Sequence, residues 1–269
     1  MLLSAMLGAL VGAILGLTGA GGGILAVPAL AVGMHWPMQQ AAPVALIAVA
    51  IGAAVGALEG LRHGLVRYKA AGLIAISGFP LVYLGQTIAN KLSQSALQAC
   101  FSAVMLLVAY RLYKQVSQKS TSESELPFGK ARINPDSGKF IWSIPTAALL
   151  ASIGGTTGFM TGLLGVGGGF VIVPMLRKFT EVSMQGIVAT SLMVIALVGA
   201  SGVGSALIRQ TPIPWGSASI FTATTVIGML VGRKLIKNIS PSHVQIGFSL
   251  VLTLVALGLL ASALMSLMA

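Results

Sequence analysis

From Phe140 to Gly165, and again from Pro241 to Ala269, the chain carries no Lys, Arg, Asp or Glu. An α-helix rises about 1.5 Å per residue, so some 20 apolar residues suffice to cross a bilayer core. Continuous apolar stretches of this kind exclude a transmembrane barrel, whose strands alternate apolar and polar residues over about ten positions. The remainder of the chain agrees, with 56% hydrophobic and 8% charged residues, where a soluble domain has about a quarter charged. Such a chain has too little charge to cover a water-exposed surface. The expected fold class is an all-α polytopic membrane protein with the lipid bilayer as its main partner.

The chain is also a duplication. Gly16–Pro28 (GLTGAGGGILAVP) returns as Gly162–Pro174 (GLLGVGGGFVIVP), 146 positions later, and Met38-Gln39 returns as Met184-Gln185 at the same offset. Past one inserted residue, Gly85, Ser93 and Gln98 match Gly232, Ser240 and Gln245 at an offset of 147. Self-similarity over this length marks a repeat architecture. The polar stretch between the copies, rich in Ser, Lys, Glu and Pro, reads as a solvated linker. The expected organisation is a first transmembrane repeat over 1–115, a linker over 116–138, and a second repeat over 139–269. Each repeat holds a Gly-interrupted apolar pair followed by three ordinary spans: about 2–17 and 23–34, then 40–61, 68–90 and 95–115; and about 140–162 and 169–177, then 186–208, 214–236 and 242–268. The short segment after each Gly-rich stretch suits a half-helix better than a full span.

Two topologies are open. If each Gly-interrupted pair crosses once, the repeats are parallel; if it enters and leaves on one side, each repeat crosses an odd number of times and the second is inverted. With the linker in the cytoplasm, the inverted arrangement puts 14 of the 16 Lys and Arg residues inside, leaving Lys91 and Arg209 outside; the parallel one puts 10 inside. The positive-inside rule favours inversion, with both termini outside the cytoplasm. The same rule accounts for the net charge of +11, so nucleic acid is not an expected partner. No Lys or Arg precedes Arg62, so the first segment lacks the basic start of a cleaved signal peptide and reads as part of the fold. A single cysteine, Cys100, supplies neither a disulfide framework nor a Cys-based metal site, and no cofactor is called for.

Inverted repeats would bring the two Gly-rich tips to the bilayer midplane from opposite sides. Irregular backbone at that depth is tolerated only where protein buries it or a wet cavity meets it. Gly19, Gly21, Gly22 and Gly23 in the first tip, with Gly165, Gly167, Gly168 and Gly169 in the second, would let a ligand approach the main chain. Each tip leads into a short helix whose first N–H groups are unpaired and carry positive partial charge, an arrangement that binds anions. The competing reading is that these glycines only let helices pack closely. A dinucleotide or P-loop site is excluded, since no strand precedes the glycines and no Gly-Lys-Ser/Thr follows.

No span has an ionisable residue near its centre; Glu59 lies at a span end beside Arg62 and His63. Neither a carboxylate relay nor a buried Arg clamp is therefore in view, and an intramembrane enzyme lacks its acid pair, Cys–His pair or metal cluster. An anion would rest on backbone N–H groups and neutral donors, the nearest being Thr18, Gln39, Gln185, Thr190 and Ser191. The hydroxyls among them can equally bond their own or a neighbouring helix. Arg62, His63, Arg67 and Lys69 read as topology determinants, and Arg209 as an external residue that attracts anions. Trp36 and Trp215 fall at expected interfaces.

The duplicated Gly-x-Gly-Gly-Gly core, with GLTGAGGGILAVPAL and GLLGVGGGFVIVPML as its two forms and Val188-Ala-Thr-Ser-Leu192 following the second, resembles the TauE/SafE family of sulfite and organosulfonate exporters. The likeness covers nearly the whole chain outside the linker. It implies transport of small sulfur-containing anions such as sulfite or sulfoacetate. The first repeat departs from the pattern, with Ala42-Pro-Val-Ala-Leu46 where the second has Ala189-Thr-Ser-Leu192. The expected protein is a multi-pass inner-membrane secondary transporter for a small anion, working by alternating access, with an anion channel of the same architecture or a transporter for a non-sulfur solute as the alternatives. Association into a homo-oligomer is compatible with this reading.

Overall fold

The computed structural model describes residues 1–19, 21–117, 142–235 and 241–268. All regular structure among them is helical: α1 (Leu2–Thr18), a 3-10 turn (Gly22–Leu25) leading into α2 (Ala26–Gly33), α3 (Met38–Arg62), α4 (Tyr68–Lys91), α5 (Gln94–Ser117), α6 (Ile144–Leu164), α7 (Gly169–Phe179), α8 (Met184–Ile208), α9 (Trp215–Leu235) and α10 (Pro241–Met268). Seven of these, α3, α4, α5, α6, α8, α9 and α10, are long and apolar enough to cross a membrane. The elements lie within a few residues of the sequence expectation. The clearest difference is α6, which starts at Ile144 rather than near 140 because the Ser143 side chain caps it, accepting from the Thr146 N–H at 3.3 Å. The expected linker lies outside the described residues from 118 onward.

The outer surface is what lipid requires. Ile76, Leu107, Ile227, Leu254, Leu257 and Leu264 are each more than half exposed. In water an apolar belt of this extent would drive aggregation, whereas in hydrocarbon it costs nothing and the backbone polar groups are satisfied within each helix.

Packing within the bundle is done by glycines at four-residue spacing. Ser4 Oγ donates to the Ser217 carbonyl at 3.2 Å, and at that same register Gly8, Gly12 and Gly16 lie against Phe221, Thr225 and Met229. α1 and α9 therefore run parallel, backbone against backbone. Gly154, Gly158 and Gly162 of α6 meet Ile74, Gly78 and Val82 of α4 in the same way. A side chain at any of these glycines would strike the facing main chain, which is the small-residue helix contact favoured in membranes. By contrast α3 and α8 are antiparallel: Gly60 meets Ala189, Gly56 meets Leu192 and Gly199 meets Ala50. α5 packs on α10. The strongest pairings, α4 with α6, α1 with α9, α5 with α10 and α3 with α8, all join an element before residue 118 to one after residue 141.

One end of the bundle is basic. The Arg233 guanidinium pairs with the Glu59 carboxylate, the Arg67 N–H bonds to Thr190 at 3.0 Å, and Arg111, Arg177 and Arg233 line one cavity. At the opposite end Arg209 reaches α4, donating to Thr87 Oγ1 at 2.6 Å and standing 4.1 Å from the Tyr83 ring centroid.

Candidate functional site

The first Gly-rich segment turns the chain back on itself. α1 ends where Gly19 takes φ 77°. A Cβ on Gly22 would lie 2.5 Å from Leu15 Cα, and one on Gly33 would lie 2.6 Å from the Leu7 side chain. Residues 22 to 33 thus run back alongside α1, so this pair is a helical hairpin. The 3-10 turn begins at Gly21 with ordinary helical angles, φ −87° and ψ −29°. Gly22 packs against Leu15, which is fully buried, as is Val11 one turn earlier on α1. Thr18 is spent on its own helix, donating to the Ile14 carbonyl at 2.8 Å.

The second segment makes the same reversal with different chemistry. α6 closes on Gly165 in the left-handed region, φ 69°, its N–H bonding to the Thr161 carbonyl at 2.9 Å. α7 opens on Gly168, also left-handed at φ 66°. Its carbonyl accepts from Val171 at 2.9 Å and Ile172 at 3.1 Å. A side chain at either position would be strained and would also collide, at Gly165 with Ala42 and at Gly168 with Thr157. Being at the start of α7, the N–H groups of Gly169 and Phe170 have no preceding turn to bond.

The two segments meet at the middle of α3 and α8. Gly23 and Gly167 both abut Val49, and Gly167 abuts Ile195 as well. Gly19 abuts Val188. Ser191 falls between Val188 and Ile195 on that face of α8 by helical periodicity. It is fully buried, and its hydroxyl has no hydrogen-bond partner among the described residues.

Two cavities approach this centre from opposite ends. From the basic end a cavity of about 700 Å³ reaches Thr18, Gly19 and Gly21 of the first segment and Gly169 and Phe170 of the second. Its walls are mostly aliphatic and aromatic, with Arg111, Arg177 and Arg233 among them. From the other end a pocket of about 40 Å³, room for a few waters at most, is lined by Gln39, Gln86, Arg209 and Gly165. The second segment stands between them, Gly165 facing one and Gly169 the other.

The candidate residues are thus distributed unequally. Gln39 lies in the small pocket, its amide 3.5 Å from the Leu92 carbonyl. Gln185, its sequence counterpart, is exposed at the start of α8 and lines neither cavity. Thr190 is buried and accepts the Arg67 N–H. Sequence reasoning passed over Thr157 and Thr161. Both are fully buried on α6, both hydroxyls lack a partner among the described residues, and both adjoin Gly168. Threonine hydroxyls in helices ordinarily bond the carbonyl one turn back, as Thr156, Thr180, Thr225 and Thr253 do here. That departure, shared by Thr222 on α9, combines with contact to Gly168 to distinguish the pair, and both are visible only in three dimensions.

A lipid-facing helical bundle with broken helices meeting at its centre defines a multi-pass membrane protein of the transporter type. The chain belongs to the TauE/SafE family, whose model, described as "Sulfite exporter TauE/SafE", matches residues 4–259. It is similar to a protein of Xylella fastidiosa (strain Temecula1 / ATCC 700964) named "Probable membrane transporter protein", 28% identical over 87% of this chain and 84% of that one. It is also similar to "Probable membrane transporter protein MJ0441" of Methanocaldococcus jannaschii, 26% identical over 95% and 93%. "Probable membrane transporter protein YunE" of Bacillus subtilis (strain 168) is 31% identical over 43% of each chain. No solved structure gives a significant match. The protein is a membrane transporter, which is not an enzyme class.

Proposed function

We propose that this chain is a secondary transporter that moves a small sulfur oxyanion or organosulfonate across the cell inner membrane by alternating access. The observation that carries the reading is the position of the second Gly-rich segment between a cavity of about 700 Å³ at one end and a pocket of only about 40 Å³ at the other. A carrier needs a site reached from one side at a time. The basic end is the cytoplasmic one by the charge rule, so this is the inward-open state. Arg111, Arg177 and Arg233 raise the local anion concentration at its mouth. The anion then descends to backbone N–H groups of the Gly-rich segments and to neutral hydroxyls.

The halves 1–115 and 139–269 act as an inverted pair. Antiparallel α3 and α8, the helical hairpin at the first segment, and the reciprocal pairings of α1 with α9 and α6 with α4 all support this. Rocking of one assembly against the other breaks the Glu59–Arg233 contact at one end and the Arg209–Thr87 contact at the other in turn. Leaving a negative interior gives a monoanion about 2.3 kcal/mol per 100 mV, so export runs without a coupling ion.

The test is transport by the purified chain in proteoliposomes, with sulfite, sulfoacetate, taurine, sulfate, acetate and chloride compared. Saturable flux with counterflow for a sulfur oxyanion or sulfonate is expected. Non-saturating conductance identifies a channel instead, and equal rates for every anion remove the substrate assignment.

A further inference from the structure

The search for chemistry beyond the Gly-rich backbone leads to Thr157 and Thr161, two of the three threonines whose buried hydroxyls lack a partner among the described residues. A buried hydroxyl without a partner forfeits its hydration, and native structures keep such groups rare. Thr157 and Thr161 lie one helical turn apart, so they share a face of α6. That face adjoins the left-handed cap of α7: a Cβ on Gly168 would lie 2.3 Å from the Thr157 methyl, Cγ2, and 2.9 Å from Thr161 Oγ1. The Thr161 hydroxyl thus stands beside a helix N-terminus whose first N–H groups carry positive partial charge, with the equally unpartnered Thr157 one turn away. The 146-residue offset puts Val11 and Leu15 at the corresponding places in the first half. The apolar version of this corner is therefore a sound way to pack it, and hydroxyls are not needed for the fold.

We infer that Thr157, Thr161 and the opening N–H groups of α7 form an oxyanion subsite present in the second half alone, and that it takes the monoanionic sulfonate or hydrogensulfite head in preference to a dianion. The inference rests on the transporter reading above and adds to it the residues and the charge selectivity. Selectivity follows from the donor set. The side chains that meet Gly165, Gly167 and Gly168 are Ala42, Ile195, Val49, Thr157 and Thr161, all neutral. Burial of a charge without an opposite charge is costly and rises steeply with the charge carried. Neutral dipoles at this corner offset one negative charge far better than two. The hydroxyls, one per residue, match oxygens at the pyramidal or tetrahedral sulfur. Gly169, which lines the large cavity, gives the head its path in.

The experiment uses the full-length chain in detergent, with melting temperature followed against methanesulfonate, sulfoacetate, sulfite and sulfate. A ligand that binds the folded state raises the melting temperature by mass action. For the wild type, methanesulfonate and sulfoacetate are expected to stabilise at concentrations at least tenfold below sulfate. Thr157→Val and Thr161→Val are each expected to raise the apparent Kd for the sulfonates tenfold or more. Thr253→Val, which removes a self-bonded hydroxyl on α10, is expected to leave it unchanged. Thr157→Ala and Thr161→Ala carry the same expectation should valine pack badly. Wild-type affinity retained in the double variant overturns the subsite while leaving the transporter reading intact, provided counterflow persists. Sulfate binding as tightly as sulfonate overturns the charge selectivity. No stabilisation of the wild type by any anion overturns the subsite, and counterflow then decides whether the reading beneath it falls too.

Discussion

The two Gly-rich reversals share a backbone plan and differ in what lies under it. In the first, Gly22 rests on the main chain at Leu15, and the buried residues matching Thr157 and Thr161 are Val11 and Leu15; in the second, Gly168 rests on Thr157 and Thr161. The first enters its return helix through a 3-10 turn with ordinary angles, the second through two left-handed glycines. Duplication thus gives two corners of one shape, and a pair of side-chain differences makes one of them polar. The apolar corner has no side-chain hydroxyl to satisfy, whereas the polar one holds two buried hydroxyls with no partner among the described residues.

The strongest way to break the comparison is to fill both corners. Gly22→Val and Gly168→Val each force a branched side chain into main chain or a fully buried neighbour, and each is expected to cost more than about 3 kcal/mol. Loss of monodisperse protein in size-exclusion chromatography checks this. Next come Gly167→Ala and Gly21→Ala, which occupy matching places in the two segments. The first puts a methyl 2.5 Å from Ile195 Cγ2, the second meets only the Phe248 ring at 3.6 Å. A loss of about 1–3 kcal/mol is expected for Gly167→Ala and less than about 0.5 kcal/mol for Gly21→Ala, read by thermal denaturation. Smaller, and opposite in sign, are the polarity exchanges. Thr157→Val removes a hydroxyl with no partner and is expected to raise ligand-free stability by about 1 kcal/mol. Val11→Thr is expected to lower it by about 1 kcal/mol. The smallest effect belongs to Glu59→Gln, because the Glu59 and Arg233 side chains are 57% and 23% exposed, and such a pair contributes less than about 1 kcal/mol. Its stability to thermal denaturation is expected to change by no more than that, while any shift in flux asymmetry reports on gating.

Apolar length made the helices legible: the spans read from hydropathy differ from those observed by a few residues, since burial in lipid asks only for continuous apolar sequence. The glycine clusters beside ten-residue apolar pieces marked where the helices break, while their sequence alone left both a reversal and close helix packing open. The helix partners were not. Gly8, Gly12 and Gly16 announce a close contact, but nothing in their spacing says that α9 provides it. Nor does the repeat predict that Gln39 lines a pocket while Gln185 is exposed. Thr157 and Thr161 escaped because a helical threonine usually bonds its own backbone, and an unmet hydroxyl is a property of the surroundings and not of the residue.

The parallel seam between α1 and α9 sets a timetable for the chain's synthesis. Its partners are 213 positions apart, so at about 5–20 residues per second the first helix waits roughly 10–40 seconds for the second to leave the ribosome. Throughout that interval the glycine face of α1 has no mate, and lipid or an insertion chaperone must stand in for α9. The seam between α4 and α6 closes much sooner. The seam between α5 and α10 is the last to close, but α1 is the helix that waits longest for its partner. A gene cut within 116–138 is expected to yield transport only when both fragments are made together, each supplying the helix on which the other's glycines close.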